Sequence, residues 1–382
     1  GGGFMIAHTK GGKNICLDYR EVAPAKAYKN MYLNEQGNPI PELSTDGSLA
    51  SGVPGSVAGI FAMHKYANLP MHVLMQSAID YAEKGFAITK GLAYELNDLK
   101  NDFTKINHHP VAFVKNEKWK SGDLLIQPEL ASTLKRISQK GESDFYFGET
   151  ANYLAADMQR TGGIISMDDL ASFKVKERVP IRFPYKGYEI VTMPLPSSGG
   201  IILQQLLTIS NLFGLDKLGF HASASIQLMV EAERRVYADR STFLGDPDFV
   251  KVPFAALTSS KYLKKRMADF QTGKAGSSQK TLPGNPYESE ETTHLSVIDS
   301  MGNAVSVTTT LNGSYGSKKV VEGAGFILNN EMDDFSVKPG VPNLYGVTGG
   351  EANAIAPNKK MLSSMTPTIV LKNNHPAIVV GT

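Results

Sequence analysis

Near residue 271 the chain changes character, and that change constrains the fold more than any other feature of the sequence. Gln271-Thr272-Gly273-Lys274-Ala275-Gly276-Ser277-Ser278 and then Pro283-Gly284-Asn285-Pro286 form a polar linker over about residues 271–291. Helical and mixed patterns precede it. After Glu291 strand patterns dominate, at Leu295 to Asp299, Ala304 to Leu311, Gly325 to Leu328, Thr368 to Leu371 and Ala377 to Val380. An α-rich portion (1–291) ending in an exposed linker and a β-rich portion (292–382) predict one layered α/β sandwich.

Within the first portion, Phe4 to Tyr19 alternates apolar runs about Lys10-Gly11-Gly12-Lys13, the pattern of a hairpin. One helix is expected from Ser56. A second follows Pro70, with Leu74, Met75, Ala78, Tyr81 and Ala82 on its apolar face, and stops at Gly85. Residues from about 88 to 180 read as mostly helical. Tyr188 to Met193 reads as a strand leading into Pro196-Ser197-Ser198-Gly199-Gly200 and another helix. An amphipathic helix is expected from about Ser223 to Asp239, with Ile226, Met229, Val230, Val236 and Tyr237 facing the core.

Composition removes several function classes. With 42% hydrophobic residues the 382-residue chain can support a large core. Its 39 basic and 37 acidic residues leave a net charge of +2, with no basic footprint for nucleic acid or for a membrane surface. No apolar run approaches the length of a membrane span. The lone Cys16 reads as a strand-core thiol. The eight histidines lack metal-ligand spacing, and no Gly-rich phosphate loop or Gly-x-Ser-x-Gly elbow is present, so no cofactor is expected. The chain opens without a start methionine and closes on the strand-like Ile378-Val379-Val380-Gly381-Thr382, so it reads as a fragment.

Chemistry concentrates at Glu291-Thr292-Thr293-His294. A hairpin folded about Met301-Gly302 sets Thr292 opposite Thr310 or Leu311, with the Asn312 amide in reach. A threonine at a free N-terminus is activated by its own α-amine, whose ordinary pKa is about 7.7–8.0. An internal threonine lacks that base, so the chemistry requires backbone cleavage between Glu291 and Thr292. The residues alone leave a second reading open: an ordinary strand start, with Ser306, Thr308 and Thr310 on a solvated face.

Further segments carry a resemblance: Asp18-Tyr19-Arg20-Glu21-Val22-Ala23-Pro24, Ser51-Gly52-Val53-Pro54-Gly55, Pro196-Ser197-Ser198-Gly199-Gly200, Ala238-Asp239-Arg240 and Leu244-Gly245-Asp246-Pro247. They continue with Thr292-Thr293-His294, Thr309-Thr310-Leu311-Asn312, Asn329-Asn330-Glu331-Met332-Asp333-Asp334-Phe335 and Leu362-Ser363-Ser364-Met365. In this order and over essentially the whole chain, they resemble the γ-glutamyltranspeptidases.

The resemblance implies an N-terminal-nucleophile hydrolase with an αββα sandwich. Thr292 would be the autoprocessing residue and nucleophile, cut free from Glu291, and Thr310 would hydrogen-bond its hydroxyl. Asn312 would help position the γ-glutamyl group. Arg20 would clamp the donor's α-carboxylate, Ser363 and Ser364 would complete that site, and Glu331 and Asp334 would hold the α-ammonium. Tyr345 would belong to a lid loop, Pro339 to Gly350, hinged at Gly349-Gly350. The implied donor is glutathione or another γ-glutamyl amide, and the acceptor water, an amino acid or a peptide. Large and small subunits would pair after processing, in the periplasm or outside the cell. The family's Pro-Gly-Gly turn, which supplies oxyanion N–H groups, falls just beyond the position of Thr382. Related cephalosporin or glutaryl acylases and poly-γ-glutamate-cleaving enzymes share the nucleophile. An unprocessed γ-glutamyl-binding or scaffold protein is the non-enzyme alternative.

Overall fold

The computed structural model describes residues 1–278, 281 and 292–381. Most of the expected linker, with Glu291, and the terminal Thr382 lie outside the described residues. Eleven strands are described: β1 Gly2–His8, β2 Asn14–Asp18, β3 Phe86–Ala87, β4 Leu124–Leu125, β5 Lys176–Glu177, β6 Ile181–Tyr185, β7 Tyr188–Thr192, β8 Thr293–Ile298, β9 Ala304–Thr310, β10 Thr368–Lys372 and β11 His375–Val380. They form a five-stranded sheet ordered β5-β2-β1-β9-β8, a four-stranded sheet ordered β11-β10-β7-β6, and a small β3-β4 pair. Every pairing is antiparallel.

The period of two along β1 explains the layering. Phe4 and Ile6 point between the sheets, where they join Cys16, Val191, Met193, Ala304, Met365, Ile369 and Leu371 in a buried cluster. Met5 and Ala7 point the other way and pack with Ile15, Leu17 and Tyr19 against Ala62 and Met63 of the helix Ser56–His64. On the second sheet's outer face, Ile181, Phe183 and Ile190 meet Ile201 of the helix Gly199–Leu212. Helix, sheet, sheet and helix therefore stack in that order, the predicted sandwich. Two further apolar clusters lie among the helices of the first portion and beneath the segment 315–328.

Polar side chains also join the sheets. Ser306 Oγ accepts from Thr368 N–H (3.1 Å) and donates to Val380 O (3.0 Å). His294 Nδ1 lies 2.7 Å from Thr308 Oγ1, and burial holds this imidazole below its ordinary pKa. Ser306 and Thr308 are buried, so the solvated-face reading of this strand is wrong for both.

Three other expectations need correction. The helix Met71–Lys84 ends at Gly85 as expected, but it buries Met71, Ile79 and Ala82 while Leu74 and Tyr81 stay exposed. The helix Ser223–Phe243 buries Leu228, Ala232, Arg235, Val236, Asp239 and Arg240, leaving Ile226, Met229 and Val230 exposed. In the second helix Glu231, Arg235, Asp239 and Arg240 share the buried face, so apolar periodicity alone points to the wrong stripe. Gly325 to Leu328 forms no strand beyond an isolated bridge of Ile327 to Val320; it follows a tight turn over 322–324, where Val321 N–H bonds locally to Phe326 O and Gly325 adopts a φ of 74°. The strand β6 was not anticipated, since Pro184 breaks its pattern. It lies at a sheet edge, where proline is tolerated.

Replacing Ser306 with Ala should strand the buried Thr368 N–H, at a cost of about 1–3 kcal/mol. Urea unfolding reads this directly, and a midpoint equal to wild type would reject the bridging role.

Candidate active site

The strand register determines where the site forms. Thr293 pairs with Thr309, so Thr292 stands just ahead of β8 and level with Thr310, one of the two partners expected. Thr292 is exposed. It borders a cleft lined by Arg20, Asn312, Glu331, Asp334, Ser363 and Ser364 among others. All six substrate-binding candidates therefore meet at one place, and Thr310 and Tyr345 line the same cleft. Thr292 and Thr310 also border a second, hydroxyl-rich cavity with Ser56 and Ser314.

Local hydrogen bonds fix each contributor. Asn312 takes a left-handed conformation (φ 74°) that ends β9, a conformation asparagine tolerates better than most residues. Its N–H donates to Thr310 Oγ1 (2.8 Å) and its Nδ2 to Asn330 O (3.1 Å). Asn329 Oδ1 accepts from Gly52 N–H and Glu331 N–H, and Asn330 Oδ1 accepts from Gly313 N–H. These two asparagines thus staple the short helical turn Glu331–Asp334 to the chain around it. Asp333 faces away from the cleft. It accepts from Ser44 Oγ (2.6 Å) and from Leu344 N–H (2.7 Å), tying down the loop that carries Tyr345. In that loop Asn343 Oδ1 accepts from the N–H groups of Tyr345 and Val347.

The serine pair is held from the other sheet. Ser363 N–H donates to Pro196 O (2.9 Å), and its carbonyl accepts from Ser198 N–H (2.7 Å) and Ser198 Oγ (2.8 Å). Lys360 Nζ reaches Asp18 Oδ1 at 2.6 Å and anchors the approach to this segment on β2. Gly349 and Gly350 pack tightly, since a Cβ would meet Ser336 Oγ at 2.0 Å and Ser241 O at 2.8 Å respectively. Close approach accounts for both glycines.

Charge is concentrated at Arg20. Its Nη1 donates to Glu331 Oε1 and its Nη2 to Asp334 Oδ2. Arg20 and Glu331 are fully buried, and Asp334 is 17% exposed. Burial opposes the guanidinium charge most strongly, but Glu331 and Asp334 outweigh it and hold Arg20 above its ordinary pKa. For Glu331, burial and then the neighbouring Glu21 charge push the carboxyl up, against the pull of Arg20. Burial raises Asp334 too, again opposed by Arg20. Two carboxylates share one cation, and Glu331 Oε2 is buried with no hydrogen-bond partner among the described residues. The cluster is thus built to accept a further cationic donor. Glu21 itself lies 3.1 Å from the Gly1 amino group.

Among the cleft residues to which the sequence assigns no role, Arg240, from the motif Ala238-Asp239-Arg240, is the one that carries a charge. Its signal was positional, because it follows the buried Val236 by one helical turn.

The γ-glutamyltranspeptidase family model matches residues 1–382. The chain belongs to this family of γ-glutamyl transferases and hydrolases. It is 46% identical over 389 residues to the glutathione hydrolase proenzyme of Escherichia coli, covering all of this chain and 67% of that protein. The chain thus spans about two thirds of that relative's length. The crystal structure of Helicobacter pylori γ-glutamyltranspeptidase matches with a TM-score of 0.69 and 42% identity, over 73% of this chain and 81% of that one. A cephalosporin acylase from Bacillus halodurans shares the fold at 23% identity, with a TM-score of 0.78 over 99% of this chain and 67% of that one. The chain therefore has the N-terminal-nucleophile hydrolase fold, as the resemblance implied. Among the described residues, no helix is long and apolar enough to cross a membrane.

A pH dependence follows from Glu331. The folded protein holds this proton more tightly than the unfolded chain, so the contribution is full below the ordinary glutamate range. It is lost as pH rises through the raised folded value. Glu331→Gln should therefore gain on wild type in melting temperature between about pH 5 and pH 9. A difference that stays constant across that range would reject the assignment.

Proposed function

We propose that the protein containing this chain hydrolyses and transfers the γ-glutamyl group of glutathione and other γ-glutamyl amides, with Thr292 as nucleophile. The observation that carries this reading is the buried Arg20–Glu331–Asp334 cluster beside Thr292 in one cleft. A γ-glutamyl donor presents an α-ammonium and an α-carboxylate on the same carbon. The ammonium is the cation that Glu331 and Asp334 lack, with Glu331 Oε2 as an acceptor. As it enters, Arg20 is relieved of part of its load and can turn its fork to the carboxylate, which Ser363 and Ser364 also face.

The chemistry begins with cleavage ahead of Thr292, after Glu291. The freed α-amine then takes the proton of Thr292 Oγ1 as that oxygen attacks the donor's γ-carbonyl carbon. The C–N bond breaks, the proton passes to the departing amine, and a γ-glutamyl ester remains on Thr292. Water or an acceptor amine attacks this ester, giving glutamate or a new γ-glutamyl amide and restoring the threonine. Thr310 supports the Thr292 hydroxyl, Asn312 positions the acyl group, and Tyr345 covers the cleft. Residues up to 291 form the large subunit and those from 292 begin the small one, in a periplasmic or secreted enzyme.

A glutaryl donor carries no ammonium and would leave Glu331 and Asp334 without a second cation to ionise against. This favours γ-glutamyl over glutaryl acyl groups, so γ-glutamyl anilide should be the better substrate in a direct comparison. In the full-length protein, N-terminal sequencing should reveal a chain beginning Thr292-Thr293-His294. Thr292→Ala should remain a single chain, with turnover below about a thousandth of wild type. Surviving activity in that variant would sink the assignment.

A further inference from the structure

The cleft holds a second guanidinium besides Arg20. Arg240 stands in the last turn of the helix Ser223–Phe243 and is buried. Its Nε donates to Ser198 Oγ and its Nη2 to Ser364 Oγ, each at 3.0 Å. Ser198 Oγ in turn donates its O–H to Ser363 O at 2.8 Å. One cation thereby locks the turn ahead of the helix Gly199–Leu212 to the Ser363-Ser364 segment. A serine hydroxyl has one proton and two lone pairs. Because an Arg240 N–H occupies a lone pair of Ser364 Oγ, the Ser364 proton must be directed away from the guanidinium.

Charge gives a second, independent argument. Arg20 is shared between Glu331 and Asp334, and once an ammonium draws both carboxyls into their ionised form these three groups carry one negative charge between them. An arriving ammonium balances that charge and leaves the donor's carboxylate in need of a cation. Arg240 lines the same cleft. With it, two guanidinium groups face two carboxylates, and the lining sums to zero, as a zwitterionic head requires.

We infer that Arg240 is a specificity-determining residue of this cleft. It orients the Ser364 hydroxyl and supplies positive charge against which the donor's α-carboxylate is bound. The inference rests on the γ-glutamyl reading above and extends it to a residue with no assigned role. Arg240 acts through Ser364, so it is a positioning residue.

The test is steady-state kinetics on the full-length protein as wild type, Arg240→Gln and Arg240→Lys. Two anilides are compared: γ-glutamyl p-nitroanilide and 4-aminobutanoyl p-nitroanilide, which keeps the ammonium but lacks the carboxylate. N-terminal sequencing checks that each variant is processed. Arg240→Gln should raise KM for the γ-glutamyl anilide at least about tenfold, leave kcat nearly unchanged, and barely affect the analogue. Arg240→Lys, which keeps the charge, should recover part of the loss. Equal losses on both anilides, or none, would overturn the proposal. Should Arg240→Gln stay unprocessed, Arg240→Lys decides: a raised KM for the γ-glutamyl anilide alone supports the role, and unchanged KM values for both overturn it. A wild type that turns over neither anilide would remove the γ-glutamyl reading and the role of Arg240 with it.

Discussion

Everything in the candidate site depends on the register in which β1 pairs with β9, where Gly2 faces Thr310 and His8 faces Ala304. The pairing joins the start of the chain to a strand beyond the linker, and it places both in the interior of the larger sheet. Side chains are excluded at the site end of β1. A Cβ on Gly3 would meet Thr308 O at 2.3 Å, and one on Gly2 would meet Tyr19 O at 2.7 Å. With β1 seated, β2 delivers Arg20 from one side, while β9 delivers Thr310 and Asn312 from the other. A shift of one residue would turn every inward side chain outward and separate these groups.

The second organising element is electrostatic. Burying a guanidinium with two carboxylates is a poor way to add stability, because desolvation offsets much of the attraction. The arrangement is better understood as preorganisation. Arg20, Glu331 and Asp334 are held by asparagine staples and backbone turns before any ligand arrives, so little ordering remains for binding. The raised carboxyl groups and the orphaned Glu331 oxygen are the cost of that readiness.

Much of this was legible in the sequence, unevenly. The β1–β2 hairpin, the β8–β9 hairpin and the layered class follow from alternation and turn residues, which act locally. The site residues were named through motif resemblance, and every substrate-binding candidate lines the cleft. What escaped was set by tertiary contact. Helix faces were misjudged where Arg235, Asp239 and Arg240 are buried among partners, because periodicity counts only apolar residues. Likewise Ser306 and Thr308 leave a wet face open as a reading, although each is buried and hydrogen-bonded. The strand β6 was hidden by a proline that an edge position accommodates.

The β1–β9 pairing also bears on the order of events as the chain folds. The two hairpins, β1–β2 and β8–β9, can each close early, since their strands are neighbours in sequence. Their union brings together segments far apart in sequence, on either side of the linker, the kind of distant contact that forms late and slowly. Before that union Thr310 and Asn312 sit on one fragment of structure and Arg20 on another, and no cleft exists. A chemistry that needs all of them is therefore timed by topology: the reactive centre matures only once the central sheet is complete, and half-folded chains remain inert.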